Sequence, residues 1–79
     1  MSNNQKYIEY VIETMEKRIQ FLTDIIDVYK KKINERGDYA KGLYEGSIKA
    51  HEDEINFLQL RIEALNRIIE LNKSSEEVV

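Results

Sequence analysis

The chain has 79 residues, no cysteine, no proline and one histidine, with 34% charged and 42% hydrophobic residues. This composition describes one small globular domain without a disulfide and without the several Cys and His ligands of a tetrahedral zinc site. A net charge of -3 and a pI near 5.2 disfavour nucleic-acid binding as a bulk property. A core of this size rarely supplies more than about 3–5 kcal/mol, so regular helix packing or self-association has to add to it. Apolar runs reach only two or three residues, and the opening MSNNQKYIEY has no signal-peptide core. No membrane span and a cytoplasmic setting are therefore expected.

Ser2 and Gln5 fit the S-x-x-Q capping box, which starts a first helix near Asn3. From there Ile8, Ile12, Met15, Ile19, Leu22, Ile26, Tyr29 and Ile33 alternate steps of four and three, the signature of a heptad seam. Lys30, Lys31, Lys32 and Arg36 complement the negative end of the helix dipole, and Gly37 suits the left-handed residue that closes it. Helix 1 is thus predicted over about 3–36, with a turn at 37–38 in which Asp38 caps the next helix through its side chain.

The second helix, predicted over about 39–72, repeats the alternation as Tyr44, Ile48, His51, Ile55, Leu58, Ile62, Leu65 and Ile69. Every a position of both helices is isoleucine, and the one polar seam residue is His51 at d, where it fixes register or partner choice at some cost in stability. The domain is predicted to span 1–72, and residues 73–79, which lose the heptad, are expected to fray. So short a connection makes the helices antiparallel, and residue numbers that add to 77 then pair every a with a d. The fold class predicted is all-α: an antiparallel, coiled-coil-like two-helix hairpin that dimerises into a four-helix bundle.

Dimerisation is expected because each helix carries a second stripe. On helix 1 it is Tyr7, Val11, Thr14, Arg18, Phe21, Ile25 and Val28; on helix 2 it includes Ala40, Leu43, Ala50, Phe57, Arg61, Ala64, Ile68 and Leu71. Both stripes flank the same side of the seam, so one broad apolar face about 50 Å long stays bare after the hairpin closes. The interface residues predicted are Val11, Arg18, Phe21, Ile25, Val28, Leu43, Phe57, Arg61 and Ile68. Arg18 and Arg61, beside Phe21 and Phe57, either pair with Glu54 or a partner's acid, or snorkel over the rings, or form an anion or nucleotide pocket.

Two further surfaces stand out. Gly42 and Gly46, with Tyr39 and Lys49, form a smooth strip for a second partner or else a loosened stretch of helix. The basic hairpin tip of Lys30, Lys31, Lys32, Arg36 and Lys41 suits an acidic partner, although such cations at a helix end are ordinary. No metal motif, cofactor motif or catalytic triad is legible, so no catalytic, cofactor-binding or metal residues are assigned and no enzyme activity is expected. The richness in Ile, Lys, Glu, Asn and Tyr resembles small accessory or host-directed proteins of phages and mobile elements from AT-rich bacteria. That resemblance implies binding to, and blocking of, a larger protein.

The functional expectation is a non-enzymatic interaction module, a scaffold or binding inhibitor that pairs with itself and with another protein. Its alternatives are a small-ligand or nucleotide-sequestering oligomer and a nucleic-acid accessory protein using the basic tip.

Overall fold

The computed structural model describes residues 3–78, which form two helices, α1 (Asn3–Arg36) and α2 (Asp38–Val78), and no strand among the described residues. Ser2 of the predicted capping box lies outside them. Gln5, its other member, is buried and donates from Nε2 to Glu9 Oε1 at 3.1 Å. α1 has neither proline nor glycine to interrupt it.

The turn is one residue long. Gly37 sits at φ +75°, in the left-handed region that a Cβ makes costly. Its N–H donates to the Ile33 carbonyl at 2.8 Å, closing α1, and its own carbonyl accepts from Lys41 N–H at 3.1 Å, opening α2. This corrects the predicted turn at 37–38: Gly37 takes the capping position expected of Asp38, which instead begins α2 and places its carboxylate near the helix's positive end. At the other end α2 does not stop near 72. Its backbone is helical through Val78, since Lys73 to Val78 include no glycine or proline to terminate it.

All sixteen seam residues, eight on each helix, are buried or half-buried, and none is exposed. Leu22, near the middle, is fully enclosed at 0% exposure. The helices run antiparallel. The Tyr29 ring stacks on Tyr44 with 4.7 Å between centroids and lies 6.2 Å from the His51 ring, so it sits between the residues that bracket Ile48, its predicted layer partner. His51 therefore joins an aromatic ladder in the seam. Overall dimensions are 62 × 15 × 13 Å, the long one matching the 41 residues of α2 at about 1.5 Å each. A rod one helix thick has no second layer, which is why, among the described residues, Leu22 alone of the large side chains is wholly covered. No helix among the described residues is long and apolar enough to cross a membrane.

Candidate interaction face

Among the described residues ten large hydrophobic side chains are exposed, and seven of them, Tyr7, Phe21, Val28, Leu43, Phe57, Ile68 and Leu71, lie on the two stripes beside the seam. Phe21 and Phe57 are 54% and 56% exposed, near the midpoints of their helices. Val11 and Ile25 are half-buried along the same line. Phe21, Ile25 and Val28, with Asp24 and Tyr29, line a shallow groove of about 250 Å³ on this face. The stripes arise because heptad positions c and g add an apolar flank to the a/d seam; a second helix covers only the seam and leaves the flank in water.

Charge crosses the centre of the face in one ordered pair. Arg18 donates to Glu54 twice, Nε to Oε2 at 2.8 Å and Nη2 to Oε1 at 3.3 Å, linking α1 to α2. This hydrogen bond holds the Glu54 carboxyl below its ordinary pKa against the opposing effect of desolvation, and it raises the Arg18 guanidinium further. The Arg18 guanidinium also lies 5.4 Å above the Phe21 ring, while Arg61 lies 5.2 Å above Phe57. Of the predicted roles for these arginines, the acid pair and the ring cover are therefore present together.

Ala40, read as part of the open stripe, is instead 1% exposed. It lies three residues past Gly37, where the one-residue turn brings the start of α2 back along the end of α1. Tyr10 and Leu60 are exposed apolar residues absent from the predicted stripes, and they lie on the outer sides of α1 and α2. Their only signal was polarity out of phase with position.

The glycine strip is open: a Cβ built on Gly42 or Gly46 meets nothing within 4 Å, and Tyr39 beside them is 78% exposed. Lys49, assigned to the same strip, is paired with Asp53 at 2.9 Å, which raises its pKa through the hydrogen bond and the charge. At the tip Lys30, Lys31, Arg36 and Lys41 are exposed, whereas Lys32 is half-buried with its Nζ 5.6 Å over the Tyr44 ring. On the side of the seam opposite the apolar face a polar groove of about 560 Å³ runs between Thr23, Asp27, Lys30, Glu52, Asp53 and Gln59. Among the described residues no three His, Cys, Asp or Glu side chains are grouped to hold a metal ion.

No protein-family model matches the chain, and no curated protein or solved structure is significantly similar to it. The class that the fold defines is an all-helical hairpin with one apolar face left open.

Proposed function

We propose that this protein is a non-enzymatic interaction module that pairs with itself through the c/g face to form a four-helix bundle, and acts as a scaffold or a binding inhibitor of a larger protein. The observation that carries this reading is the concentration of exposed apolar side chains on one face, seven of the ten among the described residues, with paired Arg18 and Glu54 and two arginine-covered phenylalanines at its centre. Aromatic and arginine side chains of this kind are the types enriched at the energetic centres of interfaces. A face about 50 Å long and 15 Å wide is close to the roughly 800 Å² that each partner of a stable complex covers.

Light scattering during size-exclusion chromatography tests the reading across a range of concentrations. A dimer doubles the 9.4 kDa chain mass. Phe21→Glu is expected to keep the helical circular-dichroism signal and return the protein to the monomer mass. A wild-type chain that stays monomeric throughout, or a Phe21→Glu variant that stays assembled, rules out self-pairing through this face.

A further inference from the structure

The hairpin is electrically polarised along its length. Its tip third, residues 28–49, holds six basic and three acidic residues, whereas the middle third (16–27 with 50–61) and the open-end third (1–15 with 62–79) each hold three basic and six acidic. The three segments thus carry +3, -3 and -3, which add to the net charge of -3. Two hairpins can close their apolar faces on each other in two ways. With the two-fold axis along the helices, tips lie at the same end, α1 covers the partner's α2, and every third meets a third of its own sign. With the axis across the helices, tips lie at opposite ends, α1 covers the partner's α1, and each basic tip meets an acidic open end. Like charges brought together across an interface disfavour a pairing and opposite ones favour it and fix its register, so charge selects the second arrangement.

The stripe of α1 fits the same operation independently. The centre of such a turn is the midpoint of α1 (Asn3–Arg36), between Ile19 and Gln20. The same turn sends Val11 onto the partner's Val28, Thr14 onto the partner's Ile25 and Arg18 onto the partner's Phe21. Apolar residues meet apolar ones or a methyl-bearing threonine, and the central cation meets a ring. Phe57 lies one residue from the midpoint of α2, so the same axis brings both copies of that ring together as well. An isologous contact requires this self-complementarity of one patch.

Resting on the self-pairing read above, we infer that the second copy lies antiparallel, α1 upon α1, so that the dimer is a rod with a hairpin tip at each end. Each cluster of Lys30, Lys31 and Arg36 then neighbours the partner's acidic open end, so the basic tip serves assembly rather than a polyanion.

Pulsed electron paramagnetic resonance on spin-labelled Tyr39→Cys tests this, with solution mass measured on the same sample. The site is 78% exposed, lies at the tip and off the paired face, and the chain has no other cysteine. From 1.5 Å per residue on either side of the axis, the antiparallel dimer places the two labels about 55–60 Å apart. A dimer with labels within about 30 Å overturns the antiparallel arrangement and leaves self-pairing intact. A sample of monomer mass with no interspin distance overturns both.

Discussion

Leu22→Ala is the most direct test of the seam. Among the described residues Leu22 is the one large side chain with no exposure, placed mid-helix between the Arg18–Glu54 pair and the Tyr29 stack, so fraying at the ends does not relieve the change. Three carbons leave a dry site. At about 0.8 kcal/mol per buried methylene the transfer loss is about 2.4 kcal/mol, and the cavity left behind carries Leu→Ala changes to about 2.7–5 kcal/mol in well-packed cores. Two helices in a rod settle together more easily than a many-layered core, so the low end, about 2.5–3 kcal/mol, is expected. That is most of the 3–5 kcal/mol a core of this size supplies, and it lowers the folded-to-unfolded ratio on the order of a hundredfold. Urea unfolding followed by circular dichroism at 222 nm measures it. Wild type and variant are compared at several concentrations, because association adds to apparent stability. A loss below about 1 kcal/mol with unchanged slope would show that Leu22 is not the centre of the core.

Three further outcomes are expected. Cysteines at Leu22 and Ile55, which share a predicted layer, should oxidise within one chain; crosslinks found exclusively between chains would indicate an open, exchanged dimer instead of a hairpin. Glu54 has a folded pKa below its unfolded value of about 4.3, so the pair's contribution is fully present above that pH and is lost as pH falls through the folded pKa. The stability difference between wild type and Glu54→Gln should accordingly be constant near neutrality and shrink below about pH 4 in urea titrations. A difference that grows on acidification would contradict the ion pair. Gly37→Ala should cost about 1–2 kcal/mol although no atom blocks the new methyl, because the left-handed backbone itself resists a side chain, whereas Gly42→Ala and Gly46→Ala should each stabilise by about 1 kcal/mol. Thermal melts of the three variants separate these signs, and equal effects at all three would refute the assignment.

Periodicity alone determined both helices, the sixteen-residue seam and the open stripe, because a four-three alternation is a statement about angle around a helix and needs no neighbour to be read. Capping chemistry located the break at Gly37, since left-handed backbone and cation-rich helix ends are local properties. What depended on distance through space was not legible. The turn needs only Gly37 because its left-handed backbone lets one residue close α1 through its N–H and open α2 through its carbonyl, and Ala40, whose place in the stripe otherwise reads as open, is buried three residues beyond it. Lys73 to Val78 lost the heptad but not the helix, because the seam pattern reports a partner's presence while helical backbone requires only the absence of a breaker. The acid pair and the ring cover of Arg18 came into view only when the hairpin brought Glu54 within 2.8 Å and set both guanidinium groups over rings. Those are meetings between side chains thirty-six residues apart or between rotamers, and only the packed helices decide them.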